Sequence, residues 1–111
     1  MRLVKPSDKV IFVDDKLEKA FNSLEETGWL KKSILKAIND LKENAFCGEN
    51  IPKKLIPKEY IKKYDLDNLW RYPLPNAWRL VYSVMTPTNV KILAVIIEYF
   101  NHKDYEKRFN Y

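Results

Sequence analysis

The chain has 111 residues, room for a single domain spanning 1–111 and not for a second catalytic one. With 46% hydrophobic and 14% aromatic residues and only 2 Gly, it carries enough apolar surface to offset the entropy of ordering, which excludes a disordered chain. Its lone cysteine, Cys47, excludes an internal disulfide and, beside a lone histidine, a tetrahedral zinc site, so no metal or cofactor is expected and a reducing, cytoplasmic location is.

The start, Met1 to Pro6, has no long apolar stretch behind it, and the run Ile92 to Ile97 is too short to cross a bilayer, so neither export nor a membrane partner is expected. Val10 to Val13 is a short β-branched run that reads as a strand, with Asp14 or Asp15 placed to cap a following helix. Leu17, Ala20, Phe21 and Leu24 recur every three or four residues, which predicts a helix ending near Thr27 with Gly28 as its stop. A second amphipathic pattern runs from Trp29 or Leu30 through Ile34, Ala37, Ile38, Leu41 and Ala45 toward Gly48. The two helices are expected to form a hairpin.

The net charge of +5 is concentrated. Residues 1–50 balance 9 basic against 9 acidic side chains, whereas residues 51–64 carry 5 against 1. That stretch holds Lys53, Lys54, Lys58, Lys62 and Lys63, punctuated by Pro52 and Pro57, and reads as a long connector rather than core, with a turn or two of helix within 58–63. Such a density of lysine suits a polyanion as well as it suits a solvated surface.

From Asn68 the pattern changes to strands. Leu69 to Leu74 leads into a tight turn at Pro75-Asn76-Ala77. Trp78 to Met85 then alternates, with Trp78, Leu80, Tyr82 and Val84 on one side and Arg79 on the other. A second turn is expected at Thr86-Pro87-Thr88-Asn89, and Val90 to Phe100 is apolar enough for a central strand covered on both faces. The last eleven residues read as a short polar helix or tail. The fold class expected is α+β: a four-stranded antiparallel sheet, order β-α-α-β-β-β, with the helical hairpin on one face and an open, positively lined face opposite.

Three features together resemble the RelE/ParE superfamily of toxins from type II toxin–antitoxin systems: the order of elements, the segment Leu74 to Val84 followed by an apolar strand, and the ending His102 to Phe109. Trp78-Arg79-Leu80-Val81-Tyr82 is similar to the family's Y-R-L-V-Y strand, and His102-Lys103-Asp104-Tyr105 to the H-x-E-Y-D ending of its HigB branch. The spacing from His102 to Tyr105 is shorter than in the family's H-R-x-x-x-Y endings, and Lys103 stands where that pattern has arginine. The resemblance implies a ribosome-dependent mRNA endoribonuclease that inhibits translation, acts without a metal, and is silenced in a hetero-oligomer with a cognate antitoxin. It equally covers members that poison gyrase or serve as non-catalytic nucleic-acid or partner-binding modules.

Within that resemblance Arg79, His102 and Tyr105 are the catalytic candidates. A guanidinium suits the negative phosphorane, histidine titrates near neutrality, and a tyrosine can stack on a base or donate a proton. Lys53, Lys54, Lys58, Arg71, Lys107 and Arg108 are the RNA-binding candidates. Trp78 and Tyr82 fall in the buried set of their strand, Glu98 is expected to find Arg79 or Arg71 across the sheet, and the stripe around Phe21, Leu24 and Leu41 is expected to leave a groove for the antitoxin.

Overall fold

The computed structural model describes residues 5–88 and 91–109. Asn89 of the expected second turn, Val90 and the final two residues of the tail lie outside them. In chain order the elements are β1 (Lys9–Phe12), α1 (Asp15–Asn22), α2 (Trp29–Glu43), β2 (Glu49–Ile51), a 3-10 turn (Lys53–Leu55), α3 (Lys58–Tyr64), β3 (Leu69–Pro73), a second 3-10 turn (Pro75–Ala77), β4 (Arg79–Thr88), β5 (Lys91–Phe100) and α4 (His102–Phe109). None of the helices is long and apolar enough among these residues to cross a membrane.

The α+β class stands, and the four-stranded antiparallel sheet does not. The sheet has five strands in the order β1-β5-β4-β3-β2 and is mixed, because β1 runs parallel to β5 with Lys9 opposite Leu93 and Phe12 opposite Ile96. β3, β4 and β5 are antiparallel neighbours, as their turn chemistry predicts. The fifth strand, β2, was hidden because three residues, Glu-Asn-Ile, carry no alternation to read.

Local chemistry sets the helix boundaries. The Asp14 carboxylate accepts the Leu17 N–H at 2.9 Å and caps α1, which closes at Ser23, several residues short of Thr27. Gly28 serves as the N-cap of α2 and not as the stop of α1. Between the helices the buried Lys31 ammonium turns back to the Asn22 carbonyl at 3.3 Å and to Glu26, supplying a cation where the end of α1 leaves carbonyls unpaired.

Both faces of the sheet are covered. Phe21, Ile34, Ala37 and Leu41 from the first two helices pack on Leu80, Tyr82 and Ile96. Phe21 and Leu41 are buried there and Leu24 is half-buried, so the chain itself covers most of the stripe expected to leave a groove. On the opposite face Ile51, Ile56, Tyr60 and Leu66 pack with Val81, Val95, Ile97, Phe100 and Tyr105. The lysine-rich stretch is therefore core as well as connector, and the open basic face is corrected to one roofed by α3 and α4. Lysines interleaved with those apolar residues masked the burial, since each snorkels outward while its neighbour points in. β5 is covered on both sides as expected, and a register shift beside Val81 and Tyr82 makes Ile97 an extra residue on β5. Glu98 then finds neither Arg79 nor Arg71: it accepts from the Tyr60 hydroxyl and from Arg108 Nη2 at 3.1 Å.

Candidate functional site

Two arginines reach the roofed face from adjacent strands. Arg71 stands opposite Val81, and Arg79 opposite Pro73, so the two point to the same side one diagonal step apart. The turn that delivers Arg79 is tight, with Asn76 and Ala77 at φ 59° and 61°, conformations asparagine tolerates better than alanine. Over both arginines lies Tyr105 of α4: the Arg71 guanidinium carbon is 5.8 Å and that of Arg79 5.7 Å from the centre of its ring. Arg71 Nη1 donates to the Tyr105 hydroxyl at 2.9 Å. The ring's negative face lets two like charges sit close together.

A carboxylate that sequence reasoning missed completes the group. Glu49 of β2 is the register partner of Arg71 and accepts from its Nη2. Its side chain is 65% exposed, so the carboxylate lies at the open rim of the cluster. Hydrogen bonding and charge from Arg71 hold its carboxyl below the usual carboxylate range, with a smaller push from Arg79. Arg71 is held more firmly protonated in return, first by Glu49. The only sequence signal was indirect, an acid just ahead of the lysine run whose role depended on a strand too short to recognise.

Arg79 differs from Arg71 in its partners. Its Nη1 donates to the Trp78 carbonyl at 3.1 Å, and among the described residues it forms no ion pair. The one carboxylate is thus bonded to Arg71, and the uncompensated positive charge falls at Arg79, which is half-buried.

The remaining candidates are dispersed around this centre. Tyr105 is buried, with Phe109 stacked on it at 4.5 Å and Phe100 edge-on at 5.6 Å, so its packing and its contact with the arginines coincide. His102 stays exposed on the first turn of α4, its Nε2 2.6 Å from Glu106 Oε1, and none of its contacts among the described residues reaches either arginine. Arg108 is engaged by Glu59 at 2.9 Å and Glu98 at 3.1 Å, tying α4 to α3 and to the sheet. Burial and the Glu98 carboxylate drive the Tyr60 hydroxyl, the other donor to Glu98, well above the ordinary tyrosine range. Lys53 and Lys54 are exposed on the 3-10 turn that follows β2, and Lys58 opens α3 with its side chain in solvent. These three extend the positive rim from the Glu49 end, and exposed Lys107 extends it along α4. No three His, Cys, Asp or Glu side chains among the described residues are grouped to hold a metal ion.

No family model matches the chain, and no curated protein or solved structure matches it.

Proposed function

We propose that the chain is a toxin of the RelE/ParE type that cleaves messenger RNA on the ribosome and is restrained by a cognate antitoxin. The observation that carries this reading is the pair of guanidiniums on one tyrosine ring with a single carboxylate bonded to only one of them, an excess positive charge held at a solvent rim. Such a site favours a phosphodiester that gains negative charge as it reacts.

Glu49, ionised and open to solvent, takes the proton of the ribose 2′-hydroxyl; that oxygen attacks the adjacent phosphorus, and Arg79 balances the phosphorane. The bond to the 5′-oxygen breaks and the leaving oxygen takes a proton from water at the open rim, giving a 2′,3′-cyclic phosphate and a free 5′-hydroxyl, and protonated Glu49 returns its proton to that water. Arg71 and Tyr105 position the centre, and Lys53, Lys54 and Lys58 hold flanking phosphates.

One observation favours a second reading. His102 is paired with Glu106 away from the arginines, which suits a binding module of the same type, including a gyrase inhibitor, that grips a polyanion without cleaving it.

Induced expression separates the two. Growth arrest with primer-extension stops inside translated codons is the expected result. Arg79→Ala should abolish it, a loss of about 100-fold or more in cleavage, while lowering the melting temperature only slightly, because Arg79 forms no ion pair among the described residues and contributes one bond to its neighbour's carbonyl and a contact with the Tyr105 ring. Arrest with intact message and relaxed plasmid would replace cleavage with the gyrase reading. Arrest unaffected by Arg79→Ala and by Glu49→Gln would refute the site.

A further inference from the structure

A cavity of about 520 Å³ opens at the end of the sheet, between the Trp78 end of β4 and the first two turns of α4. That volume lies within the range that holds small organic ligands. Trp78, half-buried and steadied edge-on by Trp29 at 5.7 Å, gives it an aromatic wall. Tyr99, Phe100, Asn101, Asp104 and Lys107 line the rest, with Glu98 and Arg108 already bonded to each other. The Asn101 side-chain oxygen Oδ1 is taken up in capping α4, accepting the Asp104 N–H at 2.8 Å, which leaves its side-chain amide N–H groups for a ligand. The Tyr99 hydroxyl, the Asp104 carboxylate and the Lys107 ammonium have no protein partner among the described residues. Donors, an acceptor and a stacking surface thus converge on one space.

We propose that this cavity is a nucleobase subsite selective for guanine. Every base offers a face to Trp78, so stacking gives affinity without choice. The choice comes from Asp104: an ionised carboxylate only accepts, and guanine alone presents two adjacent donors, N1–H and the N2 amino group, along one edge. The Asn101 amide and the Tyr99 hydroxyl supply donors for guanine O6. Adenine would set its N1 lone pair against the carboxylate, and uracil would set carbonyl oxygens there. The inference rests on the nuclease reading for its biological setting, and its test is independent of cleavage.

The test titrates the intact protein with guanosine 5′-monophosphate, adenosine 5′-monophosphate and the trinucleotide UpGpU, following the Trp78 indole N–H resonance. Guanosine monophosphate should bind at least about tenfold tighter than adenosine monophosphate, and Asp104→Asn should erase that ratio by weakening the guanine nucleotide alone. The trinucleotide should bind more tightly than either mononucleotide and lose the gain with rising salt. Equal affinities for the two mononucleotides in the wild type overturn the proposal whatever the variants do. A guanine nucleotide indifferent to Asp104→Asn in a variant of unchanged melting temperature overturns it too. Tighter binding of the free nucleotide than of UpGpU overturns the RNA setting. Lost selectivity with growth arrest intact refutes this subsite alone, whereas selectivity without arrest refutes the nuclease reading alone.

Discussion

Gly48 links the stability of the sheet edge to the chemistry of the site, and Gly48→Ala tests the connection. A Cβ built on Gly48 would lie 2.6 Å from the Arg71 carbonyl oxygen and 2.9 Å from the Tyr82 hydroxyl. Neither neighbour can retreat: the first is strand backbone, and the second belongs to a ring that is fully buried. The relief available is to slide β2 away from β3, which also stretches the 3.0 Å bond from the Gly48 N–H to the Tyr82 hydroxyl. Overpacking of this kind costs about 1–3 kcal/mol and a weakened buried hydrogen bond about 1 more. A loss of about 2–4 kcal/mol corresponds to a fall in Tm of roughly 8–15 °C for a domain of this size. Thermal unfolding followed by circular dichroism measures it. Because Glu49 is the next residue, the same slide draws its carboxylate off Arg71, and cleavage well below Tm should fall by about 100-fold, the usual consequence of a displacement near 1 Å. A variant that melts within about 2 °C of wild type with full activity would show that β2 does not set the position of Glu49.

Two further perturbations probe parts of the molecule away from the site. Lys31→Met keeps the apolar stem over the Phe21 ring but removes the ammonium from the Asn22 carbonyl and from Glu26, and should cost about 2 kcal/mol, read as a Tm lower by roughly 8 °C; an unchanged Tm would mean that desolvation of the ammonium cancels its bonds. The Asp40 carboxyl is held below its ordinary range, first by the Tyr72 hydroxyl and then by Lys36, so Tyr72→Phe should raise its pKa toward the usual carboxylate value, measured by carboxyl carbon chemical shifts during acid titration. A depressed carboxyl stabilises the fold above its unfolded pKa and loses that contribution as pH falls through the folded value, so the variant should unfold at a higher pH on the acid limb, and an unmoved titration curve would count against the bond.

Much of the fold was legible because its signals are local. Asp14 caps where an acid before a periodic apolar run should cap, α2 follows its stripe, and the turn at Pro75-Asn76-Ala77 adopts the left-handed conformations that asparagine favours. What escaped is non-local. Nothing in Val10 to Val13 distinguishes a strand parallel to β5 from one antiparallel to it, since pairing direction depends on where the intervening chain returns. Ile51, Ile56, Tyr60 and Leu66 have no short period, and only the tertiary structure collects them over the sheet. Arg79 was readable as a cation on a rigid strand; that Arg71 has a carboxylate and Arg79 has none depends on the register of β2, which three residues do not announce.

The register also explains why the cluster keeps one acid and two bases apart in function. Glu49 faces Arg71 squarely across the β2–β3 pair, and the bond fixes the carboxylate at the rim. Arg79 sits opposite Pro73 and Phe100, neither of which carries charge, so nothing on its own ladder can neutralise it. Without Arg71, Glu49 would be free to turn to Arg79, whose field it already feels, and the site would close into a salt bridge with neither base nor anion-binding group to spare. Arg71 therefore acts by holding two opposite charges apart within reach of one substrate. Tyr105, against both guanidiniums and anchored by Phe100, Phe109 and the hydroxyl bond from Arg71, makes that separation sustainable in a partly buried setting.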